Sequence, residues 1–84
     1  MAAAPQIELI SRRRCHLCDE AQKVLERIRA DQPFDYQVLD VDADPSLHLY
    51  YTYRVPVLRI NGKEVAELTF AEADIREHLR QVSQ

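Results

Sequence analysis

The only two thiols in this 84-residue chain lie three residues apart, in Cys15-His16-Leu17-Cys18. That spacing suits redox chemistry if a helix starts at the first cysteine. The second sulfur then returns to the same side of the helix, close enough to close a disulfide. Free N–H groups and the helix dipole favour an anion at such a start, so the first thiol becomes more acidic than an ordinary cysteine. Cys15 is accordingly the expected attacking thiolate, and Cys18 the thiol that resolves the mixed disulfide. His16 sets a titratable charge beside the pair. Arg12, Arg13 and Arg14 are the nearest fixed positive charges, and they could draw an anionic substrate toward the pair.

Other uses of the pair remain open on these residues alone. Half of a structural zinc site would need two further ligands, and His16, His48 and His78 form no close pair. Two inert core cysteines, or an iron–sulfur cluster shared by two protomers, would also use this spacing. Asp40, Asp42 and Asp44 imitate the start of a calcium loop. However, Pro45 stands where that loop needs glycine and Tyr51 where it needs a bidentate glutamate, so no calcium site is expected there.

The elements that must position the cysteines follow from the patterning. Ile7 to Ile10 reads as a first strand. From Cys15 to about Arg29, Leu17, Cys18, Ala21, Val24, Leu25 and Ile28 recur at helical steps, and Asp31-Gln32-Pro33 ends the helix. Phe34 to Val41 reads as a second strand with Phe34, Tyr36, Val38 and Leu39 inward. Strand, helix and strand in so short a span favour a parallel pair with a right-handed crossover. Asp44-Pro45 opens a short helix to about Tyr51. Val57 to Ile60, Asn61-Gly62, and Lys63 to Leu68 form a hairpin with a type I′ turn. Thr69-x-x-Glu72 reads as a capping box for a last helix bearing Ile75, Leu79 and Val82. At least two of Tyr50, Tyr51 and Tyr53 are expected to pack on the core rather than form a substrate shelf beside Pro56. His48 and His78 are expected at the surface.

The apolar fraction of 46% supports one core, and the whole chain is expected to form a single domain. A net charge of −3 argues against a nucleic-acid binder. The start lacks the basic and apolar stretches of a secretory signal, and no apolar run nears the roughly 20 residues that span a bilayer. A cytoplasmic monomer with no membrane partner is expected.

With Cys15-x-x-Cys18 at the first helix, Val55-Pro56 about 40 residues on, then a hairpin and a helix, the chain resembles the glutaredoxin-like branch of the thioredoxin-fold superfamily. The resemblance implies an α/β fold of order β-α-β-α-β-β-α, with a four-stranded mixed sheet flanked by helices on both faces. It implies thiol–disulfide exchange through Cys15 and Cys18, with no tightly bound cofactor. It also implies a cis Val55-Pro56 bond against the cysteines, with the Val55 backbone offered to an extended thiol substrate. Arg12 stands where glutaredoxins place a lysine on the glutathione carboxylate. His16, Leu17, Arg54 and Thr69 complete the expected substrate-binding set. The glutaredoxin Gly-Gly pair falls, by ungapped counting from Pro56, on Ala66-Glu67, and the following Ser/Thr-Asp step on Thr69-Phe70. Glutathione is therefore expected to bind poorly. The expected partners are a disulfide-bearing protein or small thiol, with a reductase or glutathione as electron donor. The reading from a different class is a redox-inactive module that binds a partner in the Val-Pro groove.

Overall fold

The computed structural model describes residues 4–82. Strand β1, Ile7–Ser11, alternates its side chains, and because both faces of a central strand are covered, each face receives apolar residues, with Glu8 paired to Arg59. Ile7 and Leu9 enter one core cluster and Ile10 the other. Helix α1, His16–Asp31, buries Ala21, Val24, Leu25 and Ile28 as one stripe against Ile7 and Leu9. Its last turn closes with the Gln32 N–H on the Ile28 carbonyl at 2.8 Å, just before Pro33.

Strand β2, Gln37–Asp40, runs parallel to β1, from Glu8↔Gln37 to Ser11↔Asp40. Helix α2, Pro45–Tyr51, starts because the Asp44 carboxylate accepts from the Ser46 N–H at 2.8 Å, with proline in the first turn. Strands β3, Val57–Ile60, and β4, Lys63–Glu67, join through Asn61 (φ 53°) and Gly62 (φ 82°), the left-handed pair of a type I′ turn. Asn61 also ties the hairpin to the start of β1: its N–H donates to the Gln6 carbonyl at 2.7 Å, and its side-chain oxygen accepts from the Gln6 N–H at 2.9 Å. Helix α3, Glu72–Val82, follows.

The sheet order is β2-β1-β3-β4, with β1 antiparallel to β3 and β3 antiparallel to β4. Helices α1 and α3 cover one face, where Ile75 and Leu79 meet Leu58 and Ile60. Helix α2 covers part of the other, through Tyr51 and Leu47 against Ile10 and Val57.

Three local expectations need correction. Strand β2 begins at Gln37, not Phe34, and Val38 is 48% exposed, because on this edge strand it borders an open cavity beside the start of α1 and not the packed core. Only Tyr51 of the three tyrosines is buried; Tyr50 and Tyr53 are 68% and 93% exposed, since a two-turn helix presents one narrow face to the sheet. The capping box does not form. Helix α3 begins at Glu72, the Thr69 N–H donates to the Glu67 carbonyl, and the Glu72 carboxylate accepts from Arg27 and Arg76 instead. Ala66 and Glu67 are ordinary strand residues, and the left-handed position after the hairpin is Leu68 (φ 66°). The β3–β4 register shifts between Leu58↔Ala66 and Arg59↔Glu64.

Leu58 is fully buried at the centre of the sheet, whereas Val38 lies at its open edge. Leu58→Ala is expected to cost about 3 kcal/mol in urea unfolding, and Val38→Thr no more than about 0.5 kcal/mol.

Candidate functional site

Antiparallel pairing of β1 with β3 matches Ile10 to Val57, so the chain leaving β1 lies beside the chain entering β3. Cys15 follows the first and Pro56 precedes the second. Arg14 takes a left-handed backbone (φ 55°), which costs a non-glycine residue on the order of 1 kcal/mol. That bend precedes Cys15, which is the extended N-cap of α1 (φ −112°, ψ 109°).

The Cys15 Sγ accepts from the Cys18 N–H at 3.2 Å, so the sulfur does what a serine or aspartate oxygen does at other helix starts. The two cysteines form a disulfide, with Cα atoms 5.1 Å apart. Cys15 is half-buried; Cys18 is 3% exposed, in the small core cluster with Val55 and Tyr51. His16 is exposed and Leu17 is 39% exposed at the outer side of this turn, so Leu17 does not enter the core stripe.

The Val55–Pro56 peptide bond is cis, and both residues are buried. The Pro56 carbonyl accepts from the Leu68 N–H at 2.8 Å. Among the described residues, no hydrogen bond engages the Val55 N–H or carbonyl. Thr69 is exposed in the following loop.

Both arginines of the expected substrate-binding set are taken up by the protein itself. Arg12 donates to both Asp42 carboxylate oxygens, at 2.8 and 3.0 Å, and to the Thr52 carbonyl and hydroxyl, at 2.9 and 2.7 Å. This fork joins the end of β1 to both flanks of α2. The hydrogen bond from Arg12 holds the Asp42 carboxyl below the usual carboxylate range. Arg54 donates to Glu64 and Glu67 and lies 5.1 Å from the Tyr51 ring centre, while the Tyr51 hydroxyl donates to Glu64 at 3.1 Å. Arg54 in turn holds the Glu64 carboxyl below its ordinary value. The sequence reading had no signal for these pairs, since acids and arginines far apart in the chain carry no pairing rule. Among the described residues, no group of three His, Cys, Asp or Glu side chains is placed to hold a metal ion. No helix there is long and apolar enough to cross a membrane.

Comparison with known proteins agrees with this geometry. The glutaredoxin-like domain (DUF836) profile matches residues 6–80. An uncharacterized protein of Mycobacterium tuberculosis is 31% identical over 65 residues, spanning 71% of this chain and 67% of its own length. The solution structure of protein Ne2328 from Nitrosomonas europaea superposes with a TM-score of 0.81 at 26% identity, covering 94% of this chain and 95% of that one. A mutant thioredoxin from Halobacterium salinarum superposes with a TM-score of 0.71 at 19% identity, covering 95% and 75%, which shows a thioredoxin-like fold.

Two outcomes are expected from the site as built. After reduction, iodoacetamide near neutral pH should modify Cys15 before Cys18, read by peptide mass; prior modification of Cys18 contradicts the order of exposure. The Asp42 carboxyl is held low in the folded state, so its pairing stabilises the protein above about pH 4 and is lost as pH falls through its lower folded value. Asp42→Asn should therefore shrink the loss of urea midpoint between neutral pH and the region below about pH 4.

Proposed function

Because this chain belongs to the glutaredoxin-like domain family, we propose that it is a thiol–disulfide oxidoreductase working by dithiol exchange. The thioredoxin-like fold with its CxxC pair supports a thiol redox role in general. The single observation that carries the finer reading is the Cys15–Cys18 bond in the first turn of α1, packed in one cluster with Val55 of the cis-proline loop.

In the reduced protein the Cys15 thiolate is stabilised by the Cys18 N–H and the start of α1. It attacks one sulfur of a substrate disulfide. That bond breaks, the departing sulfur takes up a proton, and Cys15 is left in a mixed disulfide. The free Val55 N–H and carbonyl pair with the extended substrate chain, beside Leu17 and Pro56. Cys18 then gives up its proton and attacks the Cys15 Sγ. The second substrate sulfur leaves as a thiol, and the internal disulfide forms. Two electrons have passed to the substrate, and a reductase or a thiol such as glutathione restores the dithiol by the reverse exchange. Burial of Cys18 restricts it to this intramolecular step.

The preferred substrate in this reading is a protein disulfide. Arg12 is already saturated by Asp42 and Thr52, Glu67 by Arg54, and Phe70 has no carboxylate for a ligand ammonium. A lost charged hydrogen bond is typically worth ~1.5–3 kcal/mol, and about 1.4 kcal/mol is tenfold. Arg54 serves here by holding the Val55 loop, and Thr69 offers an exposed hydroxyl beside it. The protein works as a monomer, without a tightly bound cofactor, in a reducing compartment such as the cytosol.

The wild type is expected to reduce insulin, and to turn over a glutathione mixed disulfide at least about tenfold less efficiently. Cys15→Ser should abolish both activities, and Cys18→Ser should accumulate the substrate adduct by mass. Insulin reduction retained by Cys15→Ser would overturn the mechanism.

A further inference from the structure

Charge pairing across the molecule singles out two residues that the exchange mechanism does not use. The chain has nine arginines. Arg12, Arg27, Arg29, Arg54, Arg59, Arg76 and Arg80 each lie within 4.0 Å of a carboxylate. Arg13 and Arg14 have no such partner among the described residues, and both are exposed immediately before Cys15. They border a cavity of about 370 Å³ that also reaches Cys18. Arg12, Asp19 and Asp40 line it as well, so three guanidinium groups face two carboxylates. The start of α1 adds the positive end of its dipole.

We propose that Arg13 and Arg14 receive an acidic segment of the disulfide-bearing polypeptide that this site reduces. The proposal rests on the oxidoreductase reading above. Sheet order says where that segment must run. The cavity is lined from β1, the start of α1 and β2, with Arg13 and Arg14 just before Cys15, whereas Val55 precedes β3 on the other side of β1. Neighbouring strands are about 4.8 Å apart, so the two sides are separated by roughly 10 Å. A chain paired with the Val55 backbone and crossing Cys15 continues into the cavity within a few residues, at about 3.3 Å per residue. Acidic side chains there meet two guanidinium groups that form no ion pair among the described residues. A nucleic-acid backbone fits less well, because Asp19, Asp40 and the net charge of −3 oppose an extended row of phosphates. The arginines that bind the substrate's carboxylates are thus not Arg12, at the expected glutathione position, but its two neighbours Arg13 and Arg14.

The test uses the full chain and two synthetic peptides that share one disulfide, flanked in one by glutamates and in the other by glutamines. Hydroxyethyl disulfide serves as a small neutral substrate and glutathione disulfide as a small anionic one. Wild type is expected to show a kcat/KM about tenfold higher on the glutamate peptide, fading as salt shortens the screening length from about 10 Å at 0.1 M toward 3 Å at 1 M. Arg13→Gln/Arg14→Gln should erase that preference and leave hydroxyethyl disulfide reduction unchanged, while Arg13→Lys/Arg14→Lys should retain it. Equal rates on the two peptides would overturn the proposal. So would a loss in the glutamine variant confined to glutathione disulfide, which would mark a site for small anions. If wild type reduced none of the four disulfides, the oxidoreductase reading itself would fall, and this inference with it.

Discussion

The antiparallel pairing of β1 with β3 is the constraint on which the site depends. With Ile10 opposite Val57, the exit from one strand and the entry to the other lie at the same end of the sheet. A cysteine at the start of the next helix and a proline before the next strand are then neighbours, although 40 residues separate them in the chain. Nothing local could bring them together. Slipping this register by one residue would turn Ile10 and Val57 to the wrong faces and dismantle both clusters, so the apolar pattern of two strands also locks the geometry around the cysteine pair.

Around that end the protein divides its two cores unequally. The α1/α3 side holds the larger cluster, from Ile7 and Leu9 to Ile75 and Leu79, and carries the hydrophobic stability. The smaller cluster contains Cys18, Tyr51 and Val55, and its borders are tied by ion pairs rather than by more apolar packing. Arg12 with Asp42 and Thr52 closes one border; Arg54 with Glu64 and Glu67 closes another. Exposed pairs of this kind are individually worth about 0–1 kcal/mol. Their contribution here is to orient the loops that carry Cys15 and Val55, because each guanidinium fork spans two or more backbone segments.

The same accounting explains why formal charge near the cysteines is a poor guide to ligand affinity. Three consecutive arginines precede Cys15, and one of them is neutralised within the fold. The remaining pair is exposed, in a chain whose net charge is −3. Attraction then depends on which carboxylates the fold has already committed, and a count of arginines does not show that.

Local sequence determined a good deal by itself. Cys15-x-x-Cys18 placed at a strand-to-helix step, the Asp44-Pro45 start of α2 and the Asn61-Gly62 turn are read correctly because each is settled by short-range backbone chemistry: a capping acceptor, a fixed φ, a left-handed pair. The apolar steps of α1, Leu17 excepted, and of α3 likewise predict their buried faces. Only the tertiary structure decided that Thr69 does not cap α3, because Glu72 found two arginines on α1 and α3 that outcompete a reach back along its own chain. It decided that Tyr51 alone is buried, since burial of a short helix depends on the sheet beneath it. It also decided that Arg12 and Arg54 are paired, and that Arg13 and Arg14 form no ion pair among the described residues. Pairing partners 10 to 45 residues apart are chosen by how the strands come together, and residue type and spacing do not encode that choice.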